Sequence, residues 1–246
     1  MLACHGAEYL ARAESLSRAG GGELGTDTTL SSGSWAAVSG ATGAVLGALD
    51  HALNRAGHAF AAIRPPGHHA LANRAMGFCI VNHVAVAAHE ALRSGRDRVL
   101  IIDWDVHHGN GTQALVEQDP AIRFVSMHQW PWYPGTGAAD ERGVGNVFNL
   151  PMSPGLPATA YVESLWRGVS RATEGWTPDV ILISAGYDAM LGDPLGGFTL
   201  EPADCVTWVE RLRDRFPGVP LVALMEGGYA PARLAAGVAA TVQALG

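Results

Sequence analysis

Residues 103–111, reading D-W-D-V-H-H-G-N-G, hold the densest cluster of chemically capable groups in this chain. Two carboxylates, Asp103 and Asp105, and two imidazoles, His107 and His108, follow directly on the apolar run 99–102. A β-branched run ending in polar and glycine residues reads as a buried parallel strand reaching its carboxyl end, the edge where open α/β sheets bind ligands. In an extended chain Asp103, Asp105 and His107 share one face, because side chains alternate with period two. Carboxylate oxygen beside imidazole nitrogen suits a divalent cation, and zinc is the first expectation for a hydrolytic site. The rival reading is a solvated turn with helix-capping aspartates. Few such turns carry this run of residues.

Four further polar clusters each follow an apolar run: residues 64–70 with the pair His68 and His69, residues 126–128, residues 184–188 followed by 192–194, and residues 226–229. A parallel sheet would gather all four on one rim with Asp105 and His107. Asp188 is the natural third ligand, since two carboxylates and one imidazole leave a position open, as catalytic zinc sites do. Adjacent imidazoles beside a metal suit general acid–base work, and each needs a partner on its far nitrogen. Asp103 and Asn110 are the candidates for that. Tyr229 follows two glycines that permit close backbone approach, and its hydroxyl could donate to a developing oxyanion.

The elements that must position these groups alternate along the chain. Helices are expected over residues 8–19, 35–54, 81–94, 112–117, 160–172, 202–216 and 232–245. Strands are expected over residues 58–63, 98–103, 122–127, 179–184 and 219–225. Residues 20–22 (Gly-Gly-Gly) break the first helix, residues 26–34 read as a polar loop, and residues 129–157 as a long one. Strand–helix alternation with near-continuous apolar strands predicts an α/β fold with a mostly parallel central sheet and helices on both faces.

Composition sets limits. Of 246 residues, 48% are apolar and 16% charged, ample for a buried core, and without repeat or linker the expectation is one domain over 1–246. Net charge is −7 and no basic run occurs, which argues against nucleic-acid binding. Cys4, Cys79 and Cys205 form no C-x-x-C pair, so neither a disulfide framework nor a zinc knuckle is expected. No signal peptide and no membrane-spanning run is visible, and the cytoplasm is the expected compartment.

The motifs together resemble the zinc-dependent histone deacetylase superfamily, particularly its bacterial class II-like amidohydrolases and acetylpolyamine amidohydrolases. The resemblance rests on residues 64–70 (R-P-P-G-H-H-A), 76–79 (M-G-F-C) with Asn82, 102–112, 133–137 (Y-P-G-T-G), 184–188 (S-A-G-Y-D) with 192–194 (G-D-P), and 226–229 (E-G-G-Y). It implies an arginase/deacetylase-like three-layer fold and hydrolysis of the amide of an acetylated lysine side chain or small acetylated amine. It implies that Asp105, His107 and Asp188 hold one zinc ion. His69 would be general base and then acid, His68 with Asp103 an electrostatic support, and Tyr229 the oxyanion donor. Gly77, Phe78 and Tyr133 would line the substrate tunnel, with Asp27 on its rim. A structural potassium ion would sit at Asp103, Asp105, His107, Ser126 and Met127.

Two departures shape the remaining expectations. Members of the family usually carry a further N-terminal segment ahead of the part that resembles this chain from His5 onward. Its absence here predicts an exposed apolar sheet edge or helix face, hence possible homo-oligomers, or a catalytically impaired acyl-lysine-binding relative. Leu195 stands where polyamine-selective relatives place an acid, which leans toward acetyl-lysine over acetylpolyamine. An arginase-type two-metal site is not supported by the 103–111 pattern.

Overall fold

The apolar run ahead of Asp103 is a strand buried from end to end, and the rest of the fold is arranged on its two sides. The computed structural model describes residues 1–55 and 57–246. In chain order the elements are α1 (Ala7–Arg18), β1 (Gly21–Gly25), β2 (Thr28–Ser31), α2 (Ser34–Arg55), β3 (Ala59–Ala61), α3 (His83–Arg93), β4 (Val99–Asp103) and α4 (Asn110–Val116). There follow β5 (Ile122–Gln129), β6 (Val147–Met152), α5 (Ala158–Ala172), β7 (Val180–Ala185), α6 (Pro202–Arg215), β8 (Leu221–Met225) and α7 (Pro231–Leu245).

Six strands form one sheet in the order β3-β8-β7-β4-β5-β6, and every neighbouring pair is parallel. Alternation along each strand divides the core in two. Val99, Ile101, Val180, Leu182, Val222 and Leu224 pack with Val38, Val45 and Val84 of α2 and α3. Leu100, Ile102, Ile181, Ile183, Leu221 and Ala223 pack with Leu165, Trp208 and Leu212 of α5 and α6. Both faces are therefore dry, which is why these strands read as continuous apolar runs. Each fully buried aliphatic side chain contributes about 1.5–3 kcal/mol of transfer free energy.

The chain enters β4 at the middle of the sheet, runs outward through β5 and β6, and returns to β7 on the other side of β4. Their carboxyl ends are level, with Asp103 opposite Ser184. Reversal of the strand order between β4 and β7 opens a crevice at those ends, where a ligand fits. Asn82 helps close it: its side chain caps α3 by accepting from Ala85 N at 3.0 Å and donates to Thr112 Oγ1 at 3.1 Å.

Several sequence expectations need correction. The first helix does end before residues 20–22, at Arg18, but the stretch that follows is not a plain loop: β1 and β2 form an antiparallel hairpin that buries Leu24, Thr28 and Leu30. The expected loop 129–157 contains β6, whose mixture of Asn149 and Pro151 with apolar residues hid it. Proline is tolerated there because β6 is an edge strand. Strand β3 is shorter than expected, spanning Ala59–Ala61, whereas β5 runs on through His128 to Gln129. Asp105 and His107 lie beyond the end of β4, in a bend. Among the described residues no helix is long and apolar enough to cross a membrane.

Candidate active site

The end of β4 delivers Asp105 and His107, and the end of β7 delivers Asp188. One ligand atom from each lies within 4.8 Å of the others. His107 Nδ1 is 3.1 Å from Asp105 Oδ1 and 3.2 Å from Asp188 Oδ2. Asp188 Oδ1 accepts from Val106 N at 2.9 Å, but its Oδ2 is buried without a hydrogen-bond partner. Burial, then the neighbouring charge of Asp105, raises the Asp188 carboxyl to about 7. Burial opposes the charge on Asp105 as well, yet His68 and His107 outweigh it and keep that carboxylate ionised. Burial also disfavours a charged His107, and the two carboxylates overcome it, lifting the imidazole to about 10. Crowded buried carboxylates with an orphaned oxygen call for a cation, and this donor set fits a zinc ion with an open position. The approach of β8 depends on glycine at 227: its N–H donates to Asp105 Oδ2 at 2.9 Å, and a Cβ there would run into Asp188 Oδ2.

The two histidines are held differently. His68 Nδ1 lies 3.0 Å from Asp103 Oδ2, and its Nε2 lies 3.7 Å from Asp105 Oδ1. Burial works against charge on His68, but Asp105 and Asp103 prevail and hold it well above its ordinary value, as an imidazolium. His69 Nδ1 lies 2.7 Å from Asn110 Oδ1. An amide oxygen only accepts, so Nδ1 carries the proton and Nε2 is the basic nitrogen. Burial, followed by the charge of His68, pushes His69 well below its ordinary value. One imidazole is charged and its neighbour neutral, with ring centroids 4.0 Å apart.

A pocket of about 370 Å³ opens over these groups, lined by Asp27, Pro66, His68, His69, Gly77, Phe78, Asp105, His107, Trp132, Tyr133, Asp188, Leu195, Gly227 and Tyr229. Most of the lining toward solvent is apolar. Gly77 has φ +57, and a Cβ on it would strike the His69 ring. Asp27 ties the two aromatic walls together: its Oδ2 accepts from Tyr133 Oη at 2.7 Å and its Oδ1 from Gly77 N at 3.0 Å. Burial, then Asp105 and Asp188, raises the Tyr229 phenol far above its ordinary value, so it stays a donor.

Of the sequence-predicted residues, Asp103 and Asn110 stand behind the histidines and do not line the pocket. Ser126 and Met127 lie within β5, with Ser126 opposite Asp103. Three further residues had no role assigned from sequence. Glu226 is buried and accepts from Gly67 N at 2.7 Å, His68 N at 3.2 Å and Ser184 Oγ at 3.1 Å, fastening the histidine loop to the sheet. Asp193 Oδ2 accepts from Tyr229 N at 2.7 Å and Ala230 N at 3.1 Å. Trp132 donates from Nε1 to Leu195 O at 3.1 Å, joining the loops on one side of the mouth. The motifs 226–229 and 192–194 contained the signal for the first two; nothing in the sequence pointed to Trp132.

Comparison with known proteins identifies the family and the fold. A family described as histone deacetylase domain matches residues 1–245. The Synechocystis protein slr0245 is 46% identical over all of this chain and 81% of its own length. The histone deacetylase-like amidohydrolase of Pseudomonas aeruginosa is 40% identical over 94% of this chain, which spans 64% of that enzyme. The crystal structure of the HDA15 HD domain superposes with a TM-score of 0.94 at 36% identity, over 98% of this chain and 73% of that one. The parallel sheet with a helical layer on each face is thus a shared feature. The chain belongs to the histone deacetylase domain family, hydrolases that act on amide bonds.

Proposed function

We propose that this chain removes an acetyl or other short acyl group from an acylated amine such as N-acetyl-lysine. The observation that carries the reading is the orphaned, buried Asp188 Oδ2 facing His107 and Asp105 at the floor of an apolar pocket. Asp105, His107 and Asp188 would hold zinc, which supplies a Lewis acid for the acyl carbonyl and a water whose pKa falls to about 7 in the best-studied enzymes. His69 is neutral with a free Nε2, so it accepts the proton of the attacking water and then returns it to the leaving amine nitrogen. His68 stays charged between Asp103 and Asp105 and stabilises the negative charge that develops beside it. Tyr229 donates its phenolic proton to the oxyanion in a hydrogen bond, held in place by Asp193 below its backbone. Phe78 and Tyr133 flank an aliphatic stem and keep water from the reacting carbon.

Leu195 lines the pocket, and Asp27, the one lining carboxylate outside the ligand group among the described residues, is taken up by Tyr133 and Gly77. That favours a neutral or peptidic acylated amine over a polyamine. A potassium ion at Asp103, Asp105, His107, Ser126 and Met127 is part of the proposal, supported by the Asp103–Ser126 register. So are a soluble cytoplasmic setting and a single catalytic domain.

The test pairs metal analysis with turnover. Zinc should be present at one per chain, an acetyl-lysine peptide should be hydrolysed faster than acetylated putrescine, and Tyr229→Phe should lower kcat by roughly 10²–10³ without loss of zinc. Bound zinc with no turnover of either substrate would overturn the reading in favour of a non-catalytic acyl-lysine binder.

A further inference from the structure

A second cavity shares a wall with the catalytic pocket. It measures about 350 Å³ and is lined by Thr29 and Ser34 of the hairpin-to-α2 stretch, by Arg64, and by Phe78 and Ile80. Pro66 and Phe78 border both cavities, so the Phe78 ring is the partition between them. Phe78 is 48% exposed, on a backbone with φ 64 that non-glycine residues seldom adopt. Backbone strain of this kind persists where neighbours over-determine it. Here Phe78 N donates to Thr28 Oγ1 at 3.2 Å, and the preceding N–H is held by Asp27.

Arg64 gives the second cavity its charge. The arginine ion pairs among the described residues join Arg18 to Glu14, Arg93 to Glu90, Arg211 to Glu163 and Arg233 to Glu201; Arg64 takes part in none. No acidic side chain lines the cavity. In a chain of net charge −7, an exposed guanidinium without a carboxylate at the edge of the catalytic mouth is a vacant anion contact.

We propose that this cavity is the subsite for the peptide segment next to the acylated lysine, and that Arg64 selects a carboxylate side chain there. The inference rests on the proposed amide hydrolysis. A stem threaded past Phe78 brings its flanking residues over the partition, within the field of Arg64. A guanidinium pairs with a carboxylate through two parallel hydrogen bonds, and it repels the ammonium groups of a free polyamine.

The experiment compares kcat/KM for matched acetyl-lysine peptides carrying Glu, Gln or Lys at each flanking position. The expected order is Glu above Gln above Lys, with about a fivefold step between Glu and Gln at low salt that shrinks at high salt, the scale of an exposed pair. Arg64→Gln should erase the order, Arg64→Glu should invert it, and Arg64→Lys should keep it, which separates charge from any disturbance of the loop. Turnover without flank preference in the parent chain, or an acidic preference that survives Arg64→Glu, would overturn the inference. If no peptide is turned over, the hydrolysis reading fails instead. Titration calorimetry with the same three peptides then decides the subsite by the same order of affinities.

Discussion

His69 Nδ1 is 2.7 Å from Asn110 Oδ1, whereas the adjacent His68 turns its Nδ1 to the carboxylate of Asp103. The neutral amide leaves His69 basic at Nε2 without charging it. Asn110→Asp would place a second carboxylate there and favour the imidazolium. Burial and the charge of His68 depress His69, so the acid limb of the kcat/KM profile is expected at low pH in the parent and at higher pH in Asn110→Asp. Asn110→Ala should cost roughly 10–100-fold in activity through loss of orientation. An acid limb that stays put in Asn110→Asp would remove His69 from the role of base.

Asp188 links function to instability. Burial and Asp105 make its charge costly, as its rise to about 7 records, so the site is strained without a cation. Asp188→Asn should abolish stoichiometric zinc binding and the rise in Tm that zinc gives the parent. With chelator present, the same variant should match or exceed the parent in stability, by on the order of 1 kcal/mol. Zinc titrations followed by thermal melts check both halves; a metal-free variant less stable than the metal-free parent contradicts the account.

The ligand group was legible in sequence because its chemistry admits few residue types, and parallel strands bring their ends to one rim. Asp105, His107 and Asp188 needed only those two rules. The hairpin β1–β2 was not legible: Gly21 and Gly22 carry no strand propensity, and only the pairing of residues 21–25 with 28–31 makes them strands. Strand β6 was hidden for a related reason, since an edge strand need bury only part of its side chains. The motif 226–229 singled out Glu226, but its partners, the backbone N–H groups of Gly67 and His68, lie far away in sequence and only the fold brings them to it. Trp132 acts through one carbonyl of a distant loop.

Glu226 accepts two buried backbone N–H groups and the Ser184 hydroxyl. Glu226→Ala strands those donors, and at about 1–3 kcal/mol for each unsatisfied group the expected loss of stability is at least 2 kcal/mol. Glu226→Gln should recover most of it, since one amide oxygen can face Gly67 and His68 while the NH₂ turns to Ser184. Burial raises the Glu226 carboxyl to about 7, so removal of its charge carries little penalty of its own. Urea denaturation of the two variants gives the comparison; equal losses in both would show that the hydrogen bonds are not what matters.

His83 sets an acid limit on the fold at a distance from the ligand group. Its ring is fully buried at the start of α3, with Nδ1 3.1 Å from Thr42 Oγ1, and Nε2 has no partner. Thr42 Oγ1 donates to Val38 O, so it accepts from Nδ1–H, and the ring is neutral. Burial lowers the His83 pKa from 6.5 to about 4. The unfolded chain therefore binds a proton that the folded chain refuses between those values. The stabilising effect of the neutral ring is complete above 6.5, and it is lost as pH falls from there to about 4. At about 1.4 kcal/mol per pH unit the loss is on the order of 3 kcal/mol. His83→Gln, which keeps a donor for Thr42, should flatten the stability–pH curve by one proton in that window, with chelator in both samples. Denaturant midpoints measured from pH 7 to 4 give the slopes, and parallel curves for the two chains would mean that His83 titrates normally.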